Sequence, residues 1–100
     1  MRRGTTPTHF FTLPFETDNL SKIRIVYSQN ANPIVVKETE DCVMEGNTVT
    51  LTLKQEDTLL FDATKFVNIQ VRVLTKGNDS LVSNIVSKAV GECLDNEVLA

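Results

Sequence analysis

The chain has 100 residues, 41% hydrophobic content and a net charge of −3, which fits one domain with one modest core and excludes a disordered composition. The mild acidic balance lacks the basic stripe of a dedicated nucleic-acid surface, and no apolar run is long enough to cross a bilayer. Neither nucleic acid nor membrane is therefore expected as a partner. Residues 1–7 read as a polar lead-in and a loose end. Residues 8–13 form the first predicted strand, with His9, Phe11 and Leu13 on one face and Phe10 on the other. Pro14 ends it, because proline cannot donate to a central ladder. Residues 22–29 form a second strand, with Ile23, Ile25 and Tyr27 inward. Asn30-Ala31-Asn32-Pro33 carries turn chemistry. Residues 34–39 follow as a third strand and 41–44 as a short fourth.

Glu45-Gly46-Asn47 supplies residues suited to a tight hairpin. Residues 48–54 then alternate cleanly, with Val49, Leu51 and Leu53 on one face and Thr48, Thr50 and Thr52 on the other. Asp57 is placed to cap a short helical turn through Leu59, Leu60 and Phe61. Residues 66–76 form the longest strand, with Val67, Ile69, Val71 and Val73 inward. Gly77-Asn78-Asp79 turns the chain, and residues 80–90 return as its hairpin partner. Of the two faces of that partner, the one with Leu81, Ser83, Ile85 and Ala89 is expected inward, since the other would bury Asn84. Residues 94–100 have no clear period and read as a second loose end. Short alternating strands without a long helical period describe one all-β domain over 1–100. The expected fold is a small immunoglobulin-like β-sandwich of six or seven antiparallel strands, with a partly open barrel as the runner-up.

Chemistry is sparse. The one histidine, His9, shares a face with Phe11 and Leu13, and no serine sits in a nucleophile elbow. Cys42 and Cys93 lack the spacing of a zinc site or a disulfide framework and are expected as free thiols. Glu38, Glu40, Asp41 and Glu45 cluster around one turn, but their spacing matches no calcium loop, and a solvated acidic edge accounts for them. No Trp is present and Tyr27 is the only tyrosine, so a glycan platform is poorly supplied. No catalytic residue, cofactor or metal is expected. The aromatic run from Phe10 to Phe15 behind two arginines is too interrupted for a secretory leader, which favours maturation in the cytoplasm.

A contact surface is the better candidate. Phe10, Val26, Val35, Phe66 and Leu74 fall on faces opposite the expected core. Asn68, Gln70 and Arg72 join Thr48, Thr50 and Thr52 in a polar, weakly charged outward surface flanked by Phe66 and Leu74. The candidate interface is thus Phe10, Val26, Val35, Phe66, Asn68, Gln70, Arg72 and Leu74, facing either a second copy or another protein.

The opening Met1-Arg2-Arg3-Gly4-Thr5-Thr6-Pro7-Thr8-His9-Phe10-Phe11-Thr12-Leu13-Pro14-Phe15 resembles a family of small proteins encoded in prophages of Gram-positive bacteria. So do Glu45-Gly46-Asn47-Thr48-Val49, Leu53-Lys54-Gln55-Glu56-Asp57-Thr58-Leu59, Ile69-Gln70-Val71-Arg72-Val73-Leu74 and Ser83-Asn84-Ile85. The resemblance runs through nearly the whole chain in order and implies a virion-associated protein. The shorter Gly4-Thr5-Thr6-Pro7-Thr8 opening, followed by an alternating strand, is similar to the N-terminal domains of phage baseplate upper proteins. Those are immunoglobulin-like sandwiches that mediate assembly. Gln55-Glu56-Asp57-Thr58-Leu59 also resembles the loop before strand F of immunoglobulin domains, although Phe61 stands where a hydroxyl anchor would be. The implied role is a non-enzymatic phage structural or accessory protein, a tail or baseplate component. Its partners would be itself or other phage structural proteins, in the virion or in the host cytoplasm before assembly. The alternative is a small binding module for a surface glycan or host protein.

Overall fold

The computed structural model describes residues 3–82 and, for the backbone alone, residues 86–89. The strands are β1 (Thr8–Thr12), β2 (Leu20–Gln29), β3 (Asn32–Glu38), β4 (Cys42–Glu45), β5 (Thr48–Thr52), β6 (Phe66–Thr75), β7 (Ser80–Val82) and β8 (Val86–Ala89). One helical turn, α1 (Gln55–Thr58), and two short 3-10 turns complete the described elements. All strand pairs are antiparallel. One sheet has the order β1-β5-β4; the other has β3-β2-β6-β7, with β8 following β7 along the same side of β6. The two sheets thus hold seven strand positions, and their order matches strands B-E-D and C′-C-F-G of an immunoglobulin sandwich. The chain is a small all-β sandwich.

The core follows the alternation. Val49, Leu51 and Leu53 meet Ile23, Ile25, Tyr27, Val67, Ile69, Val71 and Val73, and all are buried. Phe61, Leu13 and Leu20 complete the core. The polar residues Gln29 and Thr58 are buried with them. Gln29 continues the inward parity of β2, and its side chain bonds the backbone of Asp62 in the chain before β6. Thr58 donates to the carbonyl of Thr5 at 2.8 Å. Together with the Arg3 guanidinium on the Leu59 carbonyl and the Leu53 amide on that of Pro7, this ties residues 3–7 to the sandwich. They are not the loose end expected from composition.

Three register details correct the sequence reading. The β2–β3 hairpin turns through Asn30 and Ala31, both with positive φ, and Pro33 already lies in β3. Pro33 is tolerated because β3 is a sheet edge. Near the turn Ser28 pairs with Pro33, yet the next pair is Tyr27 with Val35, so Ile34 is an extra residue in a β-bulge. That single residue turns Val35 from the outer face, where strict alternation puts it, into the core, and leaves Val36 outside.

The last hairpin contains a similar step. Leu81 stands opposite inward Val73, on the parity expected for it, but at this sheet edge it stays exposed rather than buried. Further along, Val86 is opposite Ile69 and Lys88 opposite Val67, while Ala89 is opposite outward Phe66. The returning chain therefore uses one residue more than β6 between these two stretches, so a register constant from Leu81 to Ala89 does not hold. Ser83 and Ile85 lie outside the described residues, as do Cys93 and residues 94–100.

The helical turn also begins earlier than the sequence suggests. Asp57 sits inside α1 rather than before it, and its carboxylate accepts the N–H of Lys54 at 3.0 Å and the Lys37 ammonium at 2.9 Å.

Candidate contact surfaces

The sandwich presents two outer faces on opposite sides. On the smaller sheet the outward residues are Thr8, Phe10 and Thr12 of β1, Thr48, Thr50 and Thr52 of β5, and Val43 and Glu45 of β4. Phe10, Thr50 and Val43 form one row across it. Phe10 is 69% exposed and Val43 67%. Around them lie hydroxyls, two of which, on Thr8 and Thr52, bond each other at 2.8 Å.

The larger sheet turns outward Lys22, Arg24, Val26 and Ser28 of β2, Val36 and Glu38 of β3, and Phe66, Asn68, Gln70, Arg72 and Leu74 of β6. Val36, Val26 and Gln70 form one row, and Glu38, Arg24, Arg72 and Val82 form the next. Arg24 and Arg72 stand side by side, and Glu38 offsets their repulsion by holding the Arg24 guanidinium at 3.0 Å. Such an exposed pair adds little stability and chiefly sets the charge pattern. Phe66 and Val82 are exposed here, whereas Val26, Leu74, Asn68 and Gln70 are half-buried.

The eight candidate interface residues are therefore not one surface. Phe10 lies on one side of the sandwich; Val26, Phe66, Asn68, Gln70, Arg72 and Leu74 lie on the other; Val35, 5% exposed, belongs to the core. Likewise Thr48, Thr50 and Thr52 share no surface with Asn68, Gln70 and Arg72. Alternation separates inside from outside but does not say which sheet a strand joins. Val36, Val43 and Val82 are exposed residues that belong with the set. The uninterrupted Ile34-Val35-Val36 run is the sequence signal for the first of these.

A cleft of about 410 Å³ opens at the side of the sandwich where β1 and β7 face each other. Phe11, Leu13, Phe15, Val73, Leu81 and Val82 give it an apolar lining.

The reactive side chains have other partners. His9 Nδ1 and the Tyr27 hydroxyl share a hydrogen bond of 2.7 Å, and the Tyr27 ring leans on His9 and Phe61. Burial holds the Tyr27 phenol well above its ordinary titration range. Being buried, Tyr27 cannot serve as a glycan-stacking platform. Cys42 is a free thiol, half-buried, donating to the Glu38 carbonyl at 3.4 Å. Burial, then the charges of Asp41 and Glu40, push its pKa up and keep it protonated. Of the acidic cluster, Glu38 is engaged by Arg24, and the Asp41 carboxylate accepts the Glu38 N–H. Among the described residues no three His, Cys, Asp or Glu side chains gather as metal ligands, and no helix is long and apolar enough to cross a membrane.

Comparison with protein-family models, curated proteins and solved structures finds no match.

Proposed function

We propose that the chain is a non-enzymatic phage structural or accessory protein, a tail or baseplate component that works by contact with other chains. The observation that carries the contact reading is the pair of outer faces bearing exposed apolar residues: Phe10 and Val43 on one side, Val36, Phe66 and Val82 on the other. Scattered exposed hydrophobes are ordinary, but here each outer face carries more than one: Phe10 and Val43 share a row with Thr50 between them, and Val36 lies beside half-buried Val26. The phage setting is supported by the resemblance of the sequence, from its opening through the Ile69–Leu74 stretch, to small prophage-encoded proteins.

The test is mass spectrometry of purified particles from an induced lysogen that encodes the chain. Stoichiometric recovery in particles is the expected result. Its absence there, with no co-purification with any tail or capsid component, overturns the reading.

A further inference from the structure

The outer edge of β1 is the sheet edge least defended against pairing. Edge strands are usually blunted by proline, charge or shortness. β3 carries Pro33, Lys37 and Glu38, β4 is four residues long and ends in Glu45, and the remaining edge is split between β7, three residues long, and β8, which carries Lys88. β1 reads Thr-His-Phe-Phe-Thr, with no proline and no Asp, Glu, Lys or Arg.

Two backbone bonds identify which groups face outward. Leu13 N–H donates to Asn47 and Leu53 N–H to Pro7, so residues 7 and 13 turn their polar groups toward β5. In an antiparallel pair this alternates, so His9 and Phe11 do the same, and Thr8, Phe10 and Thr12 present N–H and C=O to the outside. Among the described residues nothing pairs with these groups. The segment that precedes β1 does not fold back over them, because Thr5 and Arg3 are tied to Thr58 and Leu59 near α1.

These groups are self-complementary. We propose that β1 pairs antiparallel with β1 of a second copy about a two-fold axis at Phe10, joining the two smaller sheets into one. This rests on the contact role proposed above and names its first partner. In that register Phe10 meets Phe10 of the other copy, and Thr8 meets Thr12, so every outward N–H finds an outward C=O. The exposed Phe10 rings lie side by side on the joined outer face. The apolar cleft beside β1 comes to the seam, where Phe11 and Leu81 lose water contact. A five-residue edge buries little area, so the dimer is expected to be concentration-dependent.

The test uses the full chain. Light scattering should give twice the monomer mass at high concentration, falling to the monomer mass on dilution. F10P removes the outward N–H without breaking a bond to β5, and should remain monomeric while its circular dichroism matches the parent. With Cys42 and Cys93 replaced by Ser, F10C should oxidise to a disulfide dimer, since directly paired residues lie within bonding reach. T50C, on the same face but in the middle strand, should not. A parent that stays monomeric at every concentration, or a dimer that F10P leaves intact and F10C fails to cross-link, overturns the proposal. A monomer that is nevertheless recovered in particles overturns this pairing alone and leaves the assembly role standing. A β1-paired dimer that is absent from particles does the reverse.

Discussion

The side-chain amide of Gln29 stands in for a strand: its Nε2 donates to the Asp62 carbonyl and its Oε1 accepts the Asp62 N–H, each at 2.8 Å. Gln29 ends β2 with its side chain buried, so it fastens the chain leading into β6 at the end of the sheet. Gln29→Leu keeps the apolar volume but strands both backbone groups of Asp62. The expected loss is about 2 kcal/mol. Urea denaturation of parent and variant checks it, with the midpoint falling and the slope unchanged.

The bulge at Ile34 makes neighbouring valines unequal. Val35→Ala removes packing from the core and should cost about 2 kcal/mol. Val36→Ala, on the exposed face, should stay within about 0.5 kcal/mol of the parent. Thermal melts of the two variants give this comparison directly. The reversed order would mean that β3 pairs without the bulge.

Tyr27 links stability to alkaline pH. Burial raises its pKa above that of the unfolded chain, so the folded state holds the phenolic proton more tightly. Its contribution is complete below the unfolded pKa of about 10 and declines as pH rises beyond it, by at most about 1.4 kcal/mol per pH unit. Tyr27→Phe loses the bond to His9, at about 1 kcal/mol, and should lack this part of the alkaline decline. Denaturation at a series of pH values above neutrality separates the two, because the lysines titrate alike in both proteins.

Ala31 occupies the left-handed region at φ 63°, next to Asn30 at φ 50°. A two-residue hairpin with two positive φ angles favours glycine at the second position. Ala31→Gly relieves the crowding of the Cβ and gives back part of that gain as unfolded-state entropy. The net expectation is a gain of about 0.5–1 kcal/mol, read as a higher melting temperature.

Much of the sandwich was legible because period-two alternation reports burial directly. Val49, Leu51, Leu53, Val67, Ile69, Val71 and Val73 all lie where that pattern puts them. What it missed has specific causes. Alternation assumes constant register, and one extra residue, Ile34, was enough to exchange Val35 with Val36. A pattern along one strand is also silent on which sheet the strand joins, so residues of β5 and β6 were grouped although they face opposite ways. Gln29 did leave a signal, a polar residue on the inward parity of β2, but its partner Asp62 lies in a loop that no periodicity reaches. Thr58 left none, because its contact is with the backbone of Thr5.

The central ladder has a consequence for how fast the sandwich forms. Among the described strands, β2 and β6 share the most extensive pairing, and its rungs, such as Ile25 with Val71, join positions far apart in the chain. The hairpins β2–β3 and β4–β5 close short loops and can form early. The ladder that unites the larger sheet must wait until the whole intervening segment, including β5 of the other sheet, has been gathered in. Refolding is therefore expected on the slower, millisecond-to-second scale of non-local β topologies. Until it completes, the valines, leucines and isoleucines of the inner faces, such as Val49, Leu51, Ile69 and Val71, are open to premature association.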